Sequence, residues 1–204
     1  MRHMTIMFFK RTGGNTDDYF NGKRIGIIGL GPRNGTTHIA IALCNYLSEC
    51  RHKRVCLAEQ NRHNDISRFL FTLGYSSCTE IVTHHRVTYI PSFNDIIPLF
   101  NMKYDCMVFD LGHDLERSIN AMNLCDIKIA VGTDAPWRRN EYALLKNLKD
   151  KNHELSGWRL FVNLGNPRLL KDKDEYQITA GCFPFEPDPV YPSKETISFL
   201  EEII

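Results

Sequence analysis

No stretch of the sequence approaches the roughly 18 consecutive apolar residues that a membrane-spanning helix needs, so a transmembrane segment is not expected. An excess of charge of either sign is missing as well: 25 Lys and Arg face 24 Asp and Glu, for a formal net charge of +1. That balance gives no footprint of bulk nucleic-acid binding, and no nucleic-acid partner is expected. There is no C-x-x-C pair. The seven cysteines, Cys44, Cys50, Cys56, Cys78, Cys106, Cys125 and Cys182, are scattered and odd in number. They read as free thiols in a reducing cytoplasm, not as a disulfide framework or zinc site. Internal repeats and low-complexity tracts are absent too. The first 23 residues hold only a five-residue apolar patch, too short for a signal-peptide core. They read as a flexible leader, with Thr5 to Phe9 as a candidate strand, ahead of a domain spanning residues 24–204. What remains is enough chain for one sizeable α/β core.

The most informative stretch is Arg24 to Leu47, RIGIIGLGPRNGTTHIAIALCNYL. Ile25 to Ile28 is a short apolar run that reads as a buried strand. Gly29 to Gly35 is a glycine-rich turn. Thr36 and Thr37 then open a segment whose apolar residues Ile39, Leu43, Tyr46 and Leu47 fall at helical spacing. Strand, glycine loop and helix together aim backbone N–H groups and a helix N-terminus at an anion. A phosphate-bearing ligand is the first expectation; the alternative is a tight βα turn with no ligand. Two loop grammars compete. The P-loop form, G-x-x-x-x-G-K-[ST], fits Gly35-Thr36-Thr37 with Thr36 in the lysine position, Thr37 as the Mg²⁺ hydroxyl and Leu30 where the first glycine belongs. The dinucleotide form, G-x-G-x-x-G, starts well at Gly29-Leu30-Gly31, but its third glycine, Gly35, comes one residue late.

Downstream, buried strands and helices alternate. Val55 to Ala58, Arg86 to Ile90, Cys106 to Phe109, Ile127 to Val131 and Leu160 to Val162 read as strands, and Cys182-Phe183 as a short seventh. Asp65 is placed to cap a helix carrying Ile66, Phe69, Leu70 and Leu73, with Gly74 as its stop. Asp95 to Phe100 reads as a short helix or helical turn, its length limited by Pro98. Glu116 to Leu124 looks helical, Trp137 to Lys149 reads as an amphipathic helix with Pro136 in its first turn, and Ser193 can cap a last helix. The fold class is therefore α/β: a doubly wound, mostly parallel sheet with helices on both faces. In such sheets ligands sit at the carboxyl ends of the strands, which makes Thr36, Thr37, Glu59, Asn61, Asp110, Asp134 and Asn163 the site candidates.

Several of these residues also have a plainer reading. Thr37 is equally a helix-opening residue, Asp110 a cap for the helix after it, and His38 a solvent-facing first-turn residue. Arg33 can stand in for a missing lysine or be an exposed loop arginine. His84-His85 lacks supporting ligand spacing and reads as a surface loop. Arg138-Arg139 reads as a solvated helix start. The last helix carries Glu195, Glu201 and Glu202 against Lys194, without the basic face of a membrane anchor.

Taken together, the residues from Arg24 onward resemble the MinD/ParA family of deviant P-loop ATPases, and within it the CpaE/TadZ branch associated with assembly of tight-adherence pili. Gly35-Thr36-Thr37 resembles that branch's G-T-T variant, and Ala42-Leu43-Cys44-Asn45-Tyr46-Leu47 the family's L-A-x-x-L pattern. Glu59-Gln60-Asn61 falls at the D-x-D after the second strand, and Tyr104-Asp105 with Asp110 at D-Y-x-x-x-D. Asn163 matches the asparagine at the adenine edge, and Pro184 to Asp188 the P-x-D segment beside the base. The resemblance implies ATP or ADP with Mg²⁺ as cofactor, or none. Gly31, Arg33, Asn34, Gly35, Thr36, Thr37, His38, Asn163 and Pro184 would line the nucleotide, and Thr37 and Asp110 would hold the metal. Asp110 would be the catalytic carboxylate if the protein is active.

The departures fall on the charges. The family's signature lysine falls at Gly31, and Thr36 takes the second lysine's place. Electrostatic stabilisation is commonly the largest catalytic effect, and one lost oxyanion donor can cost about 100- to 1,000-fold. Very weak ATPase activity at most, and no nucleotide-driven sandwich dimer, are therefore expected. The implied role is a cytoplasmic localisation or scaffold factor with protein partners in a pilus or secretion assembly. The alternatives are a slow Mg-ATP-switched ATPase and, from another class, a dinucleotide-binding oxidoreductase with Glu59 as its ribose acid.

Overall fold

The computed structural model describes residues 22–76, 81–92, 97–150, 155, 157–166 and 178–204; the candidate strand Thr5 to Phe9 and Cys78 lie outside them. The strands that the sequence marks as near-continuous apolar runs are buried on both faces, as parallel strands covered by helices must be. These are β1 (Lys23–Gly29), β2 (Val55–Glu59), β5 (Cys106–Asp110), β6 (Ile127–Thr133) and β7 (Trp158–Asn163). With β3 (Val82–His84), β4 (Val87–Ile90) and β8 (Thr179–Phe183) they form an eight-stranded sheet among the described residues, in the order β3-β4-β2-β5-β1-β6-β7-β8. Every pairing is parallel except β3 with β4.

Side chains alternate across this sheet with period two and feed two cores. Val55, Leu57, Ile25, Ile27 and Val108 join the cluster built with α1 (Thr36–Asn45), α2 (Asp65–Thr72) and α5 (Lys194–Ile203). Cys56, Ala58, Ile28, Met107 and Phe109 face the cluster containing α3 (Leu115–Asn123) and α4 (Ala143–Asp150). The sheet is thus doubly wound, and no helix among the described residues is long and apolar enough to cross a membrane. The register sets Glu59 beside Asp110, Asp110 beside Ile27, Thr133 beside Asn163 and Asn163 beside Phe183. The strand ends therefore share one rim.

Three local expectations are corrected. First, β3 is an added edge strand, and Arg86 belongs to the turn rather than to β4. This hairpin turn is His85-Arg86, with φ of 45° and 64°, the left-handed geometry of a two-residue hairpin built without the usual Asn-Gly or Asp-Gly signal. Second, Pro136–Tyr142 is a 3₁₀ helix, and only Ala143–Asp150 is α-helical. In a 3₁₀ turn residues i and i+3 eclipse, which brings Arg138 Nε to 2.7 Å from Glu141 Oε1 and leaves Trp137 82% exposed. Third, Asp65 does not cap α2. Asn64 stands at the cap with φ 56° and makes no side-chain cap bond. Its place is taken by Glu59 at the end of β2, whose carboxylate accepts from the N–H groups of Asp65 (2.8 Å) and Ile66 (3.2 Å). Ser193 caps α5 as expected, accepting from the Thr196 N–H. Of Asp95 to Phe100, residues 95–96 lie outside the described set, and Ile97–Asn101 is a 3₁₀ turn. The six described cysteines are free thiols.

Candidate functional site

The loop after β1 is tied to the sheet on both sides. Gly29 N–H donates to Gly112 O (2.7 Å) and Leu30 N–H to Val131 O (2.8 Å). Gly29 must be glycine, because a Cβ there would lie 2.8 Å from both Gly31 O and Thr36 Oγ1. The chain then passes through left-handed conformations at Arg33 (φ 58°) and Gly35 (φ 88°) and enters α1 at Thr36. No side chain caps α1, and its first turn holds no acidic residue. Leading N–H groups of this kind are suited to an anion.

Thr37 Oγ1 donates to Asp110 Oδ2 at 2.5 Å, and Asp110 Oδ1 accepts from Gly112 N–H at 3.1 Å. Asp110 is fully buried, and burial raises its pKa against the opposing pull of the Thr37 hydrogen bond. Beside this pair opens a cavity of about 670 Å³, within the range of small-molecule sites. The structure brings Gly31, Arg33, Asn34, Gly35, Thr36, Thr37, His38, Asn61 and Asp110 together on its wall. A hydroxyl and a carboxylate oxygen in contact are hard ligands of the kind that Mg²⁺ takes when phosphate oxygens complete its shell, so the donor set fits that ion.

Other candidates lie elsewhere. Asn163 sits behind the loop, where its Nδ2 donates to Asn34 O at 3.0 Å and lies 2.3 Å from where a Gly35 Cβ would be. Pro184 follows Phe183, the register partner of Asn163; neither Asn163 nor Pro184 lines the cavity. Asp134 accepts from Asn166 N–H at 3.0 Å, and the Glu59 carboxylate is committed to capping α2.

Sequence reasoning missed two groups. Arg62, His63, Arg68 and His113 line the cavity from the loops after β2 and β5 and from α2. The same strand-end rule that singled out Asn61 and Asp110 would have reached Arg62, His63 and His113. The second group is a clamp on the phosphate loop. Arg138 Nη2 donates to Pro32 O, and Asn34 Nδ2 donates to Glu141 Oε2 at 3.1 Å and to Val131 O at 3.0 Å. The Glu141 carboxylate lies over Gly31 so closely that a Cβ there would be 2.3 Å from it. This contact depends on the 3₁₀ turn and leaves no periodic trace in the sequence.

With this geometry in place, similarity to solved structures is extensive in space and thin in sequence. A plasmid partition protein from Borrelia burgdorferi, bound to AMPPNP, superposes with TM-score 0.63 at 18% identity, covering 90% of this chain and 100% of that one. The fold is that of the ParA/MinD ATPases. MinD in the MinC:MinD cell division complex of Aquifex aeolicus gives TM-score 0.62 at 16% identity over 88% of this chain and 96% of that one. Cobyrinic acid a,c-diamide synthase from Mycobacterium smegmatis gives 0.60 at 16% identity, over 88% and 91%. The ParA/MinD-like fold therefore also carries a synthase, and this chain's site must be read from its own residues. No family model matches the sequence, and no curated protein matches it.

Proposed function

We propose that the protein is a degenerate MinD/ParA-like nucleotide-binding protein that works in the cytoplasm as a localisation or scaffold factor for a pilus or secretion assembly of the CpaE/TadZ kind. The observation that supports this reading is the Thr37–Asp110 contact beside a loop that carries Gly31 and Thr36 where the resemblance expects lysines. Thr37 and Asp110 are in contact, and they would hold Mg²⁺, which would supply positive charge at the phosphates. Backbone N–H groups at Gly35, Thr36 and Thr37 would hold the phosphate chain. At Gly31, where the resemblance expects the signature lysine, the neighbour is the chain's own Glu141 carboxylate. A carboxylate there opposes the charge that phosphoryl transfer needs.

The Thr37–Asp110 pair favours, as a second reading, a slow ATPase switched by Mg-ATP. The dinucleotide alternative loses support: in the usual order β1 and β2 are neighbours, whereas β5 separates them here, and Glu59 caps a helix. Titration with a non-hydrolysable ATP analogue and with NAD, each with and without Mg²⁺, tests the assignment. Mg²⁺-dependent binding of the analogue, no binding of NAD, and turnover far below about 1 s⁻¹, the low end of typical enzyme rates, are expected. Turnover near that rate, abolished in Asp110→Ala, would establish the ATPase reading instead.

A further inference from the structure

The cavity has a second wall, facing the phosphate loop and built from the β2–α2 and β5–α3 loops. We propose that Arg62, His63 and His113 on this wall form a phosphate-binding surface, with the Arg62 guanidinium as a charge in place of the two absent lysines and the imidazoles as hydrogen-bonding groups, so that the cavity takes a polyphosphate chain held between α1 and this wall. The inference rests on the nucleotide-binding reading and deepens it.

Charge comes first. The cavity is lined by three arginines, Arg33, Arg62 and Arg68, and two acids, Asp65 and Asp110. Arg68 is paired with Asp65 at 3.1 Å, and Asp110 is held by Thr37 and Gly112. Neither Arg33 nor Arg62 forms an ion pair among the described residues. A guanidinium offers phosphate two parallel N–H donors. Among the described residues the lining contains no Phe, Tyr, Trp, Leu, Ile, Val or Met.

The wall is also held in place. The rings of His63 and His113 stack with centroids 5.2 Å apart and planes 20° apart. His63 N–H donates to Asn61 Oδ1 at 2.8 Å, and Gln60 N–H donates to Asp110 O at 2.8 Å. Gly112, at φ 68°, lets the two loops meet: a Cβ there would lie 2.9 Å from Asn61 Cβ. Two loops that touch through a required glycine and a ring stack form a surface set before any ligand arrives, which lowers the cost of binding.

The test is calorimetric titration of the full chain with tripolyphosphate, inorganic phosphate and a non-hydrolysable ATP analogue. The proteins are wild type, Arg62→Gln, Arg62→Lys and the double variant His63→Asn/His113→Asn, each checked for an unchanged fold by circular dichroism. One lost charge-assisted hydrogen bond corresponds to about tenfold or more in affinity. Tripolyphosphate and the analogue are expected to bind Arg62→Gln and the double variant about tenfold more weakly, with Arg62→Lys in between. Inorganic phosphate, a single phosphate group in place of a chain, is expected to change less. Equal affinities across all four proteins would overturn the second wall and leave the nucleotide reading standing. Failure of wild type to bind any of the three compounds would overturn both.

Discussion

At the scale of single residues, Gly31 and Glu59 make the sharpest statements. The Glu141 carboxylate lies 2.3 Å from where a Gly31 Cβ would be, and it is held there by Arg138 and Asn34. Gly31→Ala must push the carboxylate aside and disturb its bonds to Arg138 and Asn34, at an expected cost of about 1 kcal/mol. In the Glu141→Ala background the same change should cost less. A double-mutant cycle by urea denaturation measures the difference, and strict additivity would refute the contact. Glu59 is wholly buried, and burial, opposed by the Asp65 and Ile66 N–H groups, raises its pKa from 4.5 to about 7. An acid raised in the folded state binds its proton more tightly folded than unfolded. Its stabilising contribution is complete below pH 4.5 and is lost as pH rises through about 7. The shift corresponds to about 3 kcal/mol. Unfolding free energies at about pH 5 and about pH 8 should therefore differ less for Glu59→Gln than for wild type; equal pH dependence in the two proteins would contradict the shift.

At the scale of elements, the legible parts of the fold are those governed by burial. β1, β2, β5 and β6 announce themselves as apolar runs because both their faces are covered, and α5 through its Ser193 cap and spaced Ile197, Leu200 and Ile203. Elements fixed by distant partners are silent in the sequence. β3 has only a half-buried to exposed pattern, and its turn uses His85 and Arg86 in a conformation that sequence rules reserve for Asn and Gly. Glu59 caps a helix six residues downstream from another element. The 3₁₀ turn at Pro136–Tyr142 is set by what Arg138 and Glu141 reach across the loop, not by its own periodicity. A left-handed non-glycine residue costs about 1–2 kcal/mol, partly offset by the greater freedom of glycine when unfolded. Arg86→Gly, at an exposed position, is therefore expected to stabilise the protein by about 0.5–1 kcal/mol in thermal or urea melts; destabilisation would argue against the turn geometry.

At the scale of the whole molecule, most of the candidate site was legible as one rim. The parallel sheet brings Thr37 and Asp110, 73 positions apart in sequence, into contact, as the strand-end rule anticipates. The clamp was not, since it depends on a 3₁₀ turn reaching across to a distant loop; Arg62, His63 and His113 of the second wall fall within the strand-end rule but carry no motif that singles them out. The same geometry bears on assembly. Gly31 has no side chain with which to reach another subunit, and the space above it is filled by the chain's own carboxylate. Light scattering is expected to give one molar mass with and without Mg²⁺ and a non-hydrolysable ATP analogue. A monomer that doubles in mass only with the analogue would refute this.

The exposed Trp137 gives the protein an optical property. Of its two tryptophans, Trp158 lies in the core at 4% exposure, and Trp137 stands in water at 82%, next in sequence to Arg138 of the clamp. The two indoles experience opposite polarities, so their emissions separate in wavelength. Light from the redder component comes from a residue one peptide bond from the side chain gripping Pro32. A ligand or partner that covers Trp137 would move this component to the blue and leave the buried indole's light unchanged, with no label attached.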